Sequence, residues 1–296
     1  MKNRIFVSAF FLGYLLAAPP TNADTFSFSN GNVTNQMAVA SRPESAGKFE
    51  IEAGDDFLLS NRTQINSASF TGLVPAGSTV TDLTVEIYRV FPNDSNVNRT
   101  SGPPTFSTPQ VPTRVNSPSD VAFASRDSAA SELTFSTSVL AATFTALNSV
   151  QPGGIHPMPG QTTGGNGQVT GQEVVFNVTF TTPFDLPADH YFFVPQVELD
   201  GVSNFMWLSS VRPIVAPGTP FMPDLQAWTR DAMLDPDWLR VGTDIVGGAT
   251  PPTFNLAFSL QGVSAVPEPS TWAMMLLGLV GLSIALRGPR RKMSFA

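Results

Sequence analysis

Hydrophobic and polar residues alternate with a period of two along several stretches of this chain, the pattern of strands that bury one face. Leu83, Val85 and Ile87 fall on one side, and Thr84, Glu86 and Tyr88 on the other. Val174, Phe176, Val178 and Phe180 alternate with Val175, Asn177 and Thr179. Phe254, Leu256, Phe258 and Leu260 alternate in the same way with Asn255, Ala257, Ser259 and Gln261, and Phe26 with Phe28 forms a short counterpart. Residues 133–139, 191–197 and 239–245 are further strand candidates, separated by turn-forming clusters such as LVPAGST and DLPADH. Seven or more strands without βαβ spacing predict an all-β fold, an antiparallel β-sandwich or jelly-roll-like domain whose terminal strands pair. Residues 138–150, with Leu140, Phe144 and Leu147 at helical spacing, are the best short-helix candidate. Two stretches break both periods: 102–118 holds five prolines, and 151–172 holds seven glycines and three prolines, so both are expected as long loops within one domain spanning 24–265.

The two ends follow other rules. Lys2 and Arg4 precede an apolar run from Ile5 to Ala18, and Ala23 then offers a small residue where signal peptidase cuts, so 1–23 reads as a secretory signal peptide. Its 14 apolar residues would reach about 21 Å as a helix, short of the ~30 Å hydrocarbon core. Residues 272–286 are uncharged and mostly apolar, and the cations Arg287, Arg290, Arg291 and Lys292 follow within 287–292. By the positive-inside rule this tail stays cytoplasmic and the preceding domain lies outside, in agreement with the signal peptide. The apolar segment is short for a permanent single-pass anchor and reads as a temporary membrane helix.

Just before it, Pro267 and Pro269 fix φ and lack N–H donors, which favours extended, unpaired backbone of the kind proteolytic sites bind. VPEPST followed by Trp272, an apolar run and a basic tail resembles the PEP-CTERM sorting signal, the substrate motif of exosortases. The resemblance covers 266–292, with Pro267, Glu268 and Pro269 matching the tripeptide at 267–269. It implies that a membrane-embedded exosortase recognises the tripeptide, removes or replaces the helix, and releases or attaches the protein at the envelope surface. It also implies a Gram-negative host that makes exopolysaccharide. The stretches GDDFLLSN, VEIYRVFPNDS and VPTRVNSPSDVAFASRD are similar to other exported proteins with this signal, which implies a shared β domain and no known activity.

Charge narrows the partners. The whole chain of 296 residues has a net charge of −7, but 24–265 keeps 10 of the 16 cations and 22 of the 23 acids, a net −12. A domain this acidic is a poor candidate for nucleic acid or anionic lipid, whose recognition needs clustered Lys and Arg, so no nucleic-acid partner is expected. With no Cys, disulfides, thiolate zinc sites and Cys nucleophiles are excluded too.

Candidate chemistry is sparse. No GxSxG, phosphate loop, HExxH or CxxC occurs, and the two histidines, His156 in GGIHPMPG and His190 in LPADHYFF, read as loop and turn residues. The acidic pairs Asp55/Asp56, Asp185/Asp189, Glu198/Asp200 and Asp235/Asp237 could supply two carboxylates about 5–10 Å apart for glycoside hydrolysis, although 22 acids generate such pairs by chance. Asp231, Asp235 and Asp237 lie close enough together for calcium but lack the EF-hand pattern, so a solvated acidic turn is the competing reading. Trp207, Trp228 and Trp238, with Tyr191, could form a glycan-stacking platform or be core residues. The leading function is an exported, exosortase-processed surface or matrix protein, noncatalytic and associated with exopolysaccharide. A carbohydrate-binding module is the alternative and a glycan-active hydrolase the third reading. Expected partners are signal peptidase and exosortase, extracellular polysaccharide, and the membrane through the C-terminal helix before processing; no cofactor beyond calcium is expected.

Overall fold

Most of the alternating segments become strands; of 254–261, only the part from Phe258 on does, and Leu256 makes just an isolated bridge to Ser209. The computed structural model describes residues 24–45, 47–99, 115–155, 162–214, 225–264 and 276–282. Of these, Asp24–Ala265 forms one unit, and the terminal stretches belong to a second.

The larger sheet runs in the order β1 (Asp24–Ser29), β14 (Phe258–Ser264), β4 (Thr63–Val74), β11 (Met206–Ser210), β2 (Val33–Ala40) and β8 (Ser149–Val150). On the opposite edge of β4 lies β9 (Val169–Leu186), followed by β7 (Leu133–Ala146). The smaller sheet runs β13 (Leu239–Arg240), β12 (Trp228–Asp231), β3 (Ile51–Leu59), β10 (Asp189–Leu199), β5 (Val80–Arg89) and β6 (Ala124–Asp127). Pairing is antiparallel except between β2 and β8. The terminal strands pair, with Asp24 opposite Ser264 and Phe28 opposite Leu260.

Side chains from both sheets share one core. Leu83, Val85 and Ile87 of β5 are buried in it, as are Phe176 and Val178 of β9 and Phe258 and Leu260 of β14. Aromatic rings bridge the sheets: Phe193 of β10 stacks 5.0 Å from Phe258, and Phe57 of β3 lies 6.2 Å from Phe28. Without disulfides, this apolar burial is the main stabilising term. Close packing also fixes certain glycines. A Cβ at Gly72 of β4 would fall 2.3 Å from the Phe205 ring and 2.6 Å from the Met206 carbonyl.

Three local expectations give way to tertiary structure. Residues 138–146 are strand, not helix, because β7 pairs with β9 from Leu133 opposite Phe180 to Ala146 opposite Val169. Leu140 and Leu147 are left exposed, so the helical spacing marked no buried face. Shifts of register around Ala141 accommodate the irregular pattern. Residues 239–245 extend only as far as Arg240 before a π-helical turn at Val241–Val246. There the Asp244 carboxylate accepts bonds from the Arg240 backbone N–H at 2.8 Å and its guanidinium at 2.7 Å, closing the turn. The glycine-rich loop ends at Gln168 because Val169–Leu186 is continuous strand; Gly171 lets it approach the Val74 carbonyl, 3.0 Å from where a Cβ would sit.

Residues 276–282 are helical and exposed. Among the described residues no helix is long and apolar enough to cross a membrane. The expected signal peptide, most of 272–286 and the basic tail lie outside the described residues.

Candidate functional site

Alternation along a strand that buries Leu83, Val85 and Ile87 inward sends Glu86 and Tyr88 to the opposite face of the smaller sheet. The same parity places Glu52 of β3, Gln196 of β10 and Arg230 of β12 on that face, with Arg230 directly opposite Glu52. This outer face is itself covered: Tyr88, Phe192, Val194, Leu225, Trp228 and Trp238 form a second apolar cluster over it. Polar groups trapped there must satisfy one another.

They do so around Arg230, which is 5% exposed and faces Glu52, itself 2% exposed. The Arg230 Nε donates to Glu52, and its Nη2 donates to the Tyr88 hydroxyl at 2.8 Å. Further donations reach the carbonyls of Asp120 at 3.1 Å and Pro236 at 3.3 Å, and Asp235 lies 3.0 Å away. The guanidinium stacks 4.5 Å from the Trp238 ring and 5.1 Å from that of Tyr88. Burial alone would lower the Arg230 pKa, but Glu52 and Tyr88 more than offset that and raise it.

The hydroxyl of Tyr88 is shared by two carboxyl groups. It has one hydrogen and lies 2.6 Å from Glu52 and 3.0 Å from Glu86. That hydrogen can serve only one of the two at a time, and because Arg230 already holds Glu52 ionised, Glu86 is the carboxyl that favours its proton. Burial and then the charge of Glu52 push the Glu86 pKa up to about 8, which keeps that proton in place at neutral pH. Burial likewise raises the Tyr88 phenol. Glu50, bonded at 2.9 Å by the Gln196 amide, is shifted up by burial and then by Glu52. One oxygen from each of Glu50, Glu52 and Glu86 lies within 4.8 Å of the others. The Arg230 guanidinium already supplies positive charge to this group, which disfavours a cation there.

The residues singled out by sequence fall elsewhere or serve other ends. Asp231 accepts the N–H groups of Met233 and Leu234, both at 3.0 Å. Asp235 pairs with Arg230, and Asp237 with Arg99 at 2.7 Å. Each of the three calcium candidates is thus held by a donor of the chain itself. The Trp platform is corrected outright: Trp207, Trp228 and Trp238 are buried, because their rings pack with Phe193, Arg240 and Tyr88 respectively. Tyr191 is buried with them, stacked on Phe57. Asp55 and Asp56 point to opposite faces of β3, as adjacent strand residues must. Asp55 accepts from Asn30 and from the Leu256 N–H, each at 2.7 Å, whereas Asp56 meets His190.

His190 is not a turn residue. It lies in β10, buried, with its Nε2 2.6 Å from Asp56. Asp56 also accepts the Leu225 N–H at 2.9 Å, so this pair ties strand to covering loop. Burial raises the Asp56 pKa, and the bond to His190 opposes that rise. His156, Ala23, Pro267, Glu268, Pro269 and the cations 287–292 lie outside the described residues. No local motif marks Glu52, Glu86 or Arg230; the available signal is two outward-facing acids at i, i+2, Glu50 with Glu52, beside the Glu86–Tyr88 strand.

Fold and site define a mostly β protein of antiparallel sheets whose charged cluster is internally balanced. The PEP-CTERM protein-sorting motif matches residues 265–292. No curated protein and no solved structure matches the chain. The motif marks it as an exported protein targeted to an exosortase, destined for the cell surface or the exterior.

Proposed function

We propose that Asp24–Ala265 is a noncatalytic component of the extracellular polysaccharide matrix, delivered by signal-peptidase cleavage after Ala23 and exosortase processing at Pro267, Glu268 and Pro269. The carrying observation is the sorting motif, which follows directly on the β unit. The pairing of the buried carboxylate supports it: Glu52 is neutralised by Arg230. Burial of all three Trp rings removes the support for a stacking-type carbohydrate module.

The test is the mass of the mature C-terminus, with membrane fractionation, in hosts with and without the exosortase. Loss of 272–286 only where the enzyme is present is the expected result. A Pro267→Ala, Pro269→Ala chain regains N–H donors and lets helix spread outward, so its precursor should accumulate in the inner membrane. Identical processing in both hosts would overturn the reading. A glycan hydrolase remains as the second reading on one observation, the protonated Glu86 beside Glu52, an acid–base asymmetry of the glycosidase kind. Reducing-sugar release from the host exopolysaccharide that is abolished by Glu86→Gln would establish it.

A further inference from the structure

The outer face of the larger sheet carries ranks of neutral hydrogen-bonding side chains. Register places Ser29, Ser259, Ser69, Asn177 and Ser136 side by side across β1, β14, β4, β9 and β7. Two residues further along each strand, Ser27, Gln261, Ser67, Thr179 and Thr134 form a second rank over the same five strands. All ten residues are exposed or half-buried. None is charged, although the surrounding unit has a net charge of −12, from 22 acids against 10 cations. The Arg62–Asp185 pair lies beyond this band on the side of the second rank, and Glu173 on the side of the first. Ser69 and Ser259 bond each other at 2.7 Å. The side chains of Ser27, Gln261, Ser67, Thr179, Thr134, Asn177 and Ser136 have no hydrogen-bond partner among the described residues. At the first rank a groove of about 380 Å³ takes in Ser29, Ser69, Thr71 and Ser259, and Glu173 lines it at the edge of the band as its one charged side chain.

We infer that this band is the docking surface for a neutral polysaccharide, an inference that rests on the matrix association proposed above. Strand spacing sets neighbours in a rank about 4.8 Å apart, and the two-residue step sets the ranks about 6.8 Å apart. A chain of sugars lying across the strands therefore meets a hydroxyl or amide at every crossing. Serine and threonine hydroxyls donate or accept by rotation, and Asn and Gln do both, which matches the mixed donors and acceptors of sugar hydroxyls. Each contact is weak, and the repetition supplies avidity. Charge selects the class: the net negative unit repels an acidic polymer and the uncharged band gives an anion no partner. A second copy of the chain is disfavoured, because mating two hydroxyl faces would strip water from both without an apolar centre.

The test is affinity electrophoresis of the purified exported protein through gels containing hydroxyethyl cellulose, dextran, alginate, or the exopolysaccharide of the host. Retardation by a neutral glucan and by the host polymer, and not by alginate, is expected. Thr179→Glu with Ser136→Glu should weaken that binding about tenfold, the factor lost with one or two ordinary hydrogen bonds. Thr179→Ala with Ser136→Ala, which only removes polar groups, repeats the test if the charged pair folds poorly. Thr81→Glu on the smaller sheet should change nothing. Equal retardation of wild type and both rank variants would overturn the surface while leaving matrix association intact. Stronger retardation by alginate would overturn the neutral class. No retardation in any gel would overturn both this inference and the association on which it rests.

Discussion

Replacing Arg230 by Met tests whether the buried cluster is held by charge balance. Arg230 is 5% exposed and stands opposite Glu52, which is 2% exposed. Methionine fills part of the volume under Trp238 but leaves the Glu52 carboxylate buried, with Glu50 and Glu86 nearby and only the Tyr88 hydroxyl as donor. Removing one partner of a buried ion pair costs about 3–5 kcal/mol. A domain has only about 5–15 kcal/mol in total. At a urea m-value of about 2 kcal/mol/M, the unfolding midpoint of the exported protein should fall by about 1.5–2.5 M. The double variant Arg230→Met, Glu52→Leu removes both charges and should recover most of the loss, since buried pairs exchanged for apolar groups are often neutral. Denaturant titration by tryptophan fluorescence reads both variants. A midpoint shift under about 0.3 M for the single variant, the scale of an ordinary surface substitution, would refute the reasoning. So would a double variant no more stable than the single one.

Glu86→Gln should alter pH dependence. A carboxyl whose folded pKa is raised binds its proton more tightly in the native state, so its stabilisation is full below about 4.5 and lost as pH rises through about 8. The midpoint of wild type should therefore decline across that window more steeply than that of the variant, which has no proton to lose. His190→Phe should cost about 2–3 kcal/mol by leaving the buried Asp56 carboxylate short of a donor. A variant as stable as wild type would count against the pair. Gly72→Ala should destabilise by about 1–3 kcal/mol, as its Cβ meets the Phe205 ring and an immobile carbonyl, and an unchanged melting temperature would contradict that packing.

The alternation of residues 83–88, 174–180 and 258–261 by itself determined that the unit is built of strands, because a period of two leaves only one way to bury those side chains. The sequence also determined the order of proline tripeptide, apolar run and basic tail, since a sorting signal is recognised as a short linear pattern. Residues 138–146 show what local pattern does not decide: the ladder to β9 outweighs helical spacing when leucines such as Leu140 have no core to face. The Trp rings show a second limit, because an aromatic side chain suits a core and a sugar platform equally until its neighbours are placed. The charged cluster shows a third. Glu52 and Arg230 are 178 residues apart in the chain, and Asp56 and His190 are 134 apart, so only strand pairing brings them together. The ranks of hydroxyls have the same origin: each serine is an ordinary outward residue of its own strand, and register alone sets Ser29, Ser259, Ser69, Asn177 and Ser136 in line.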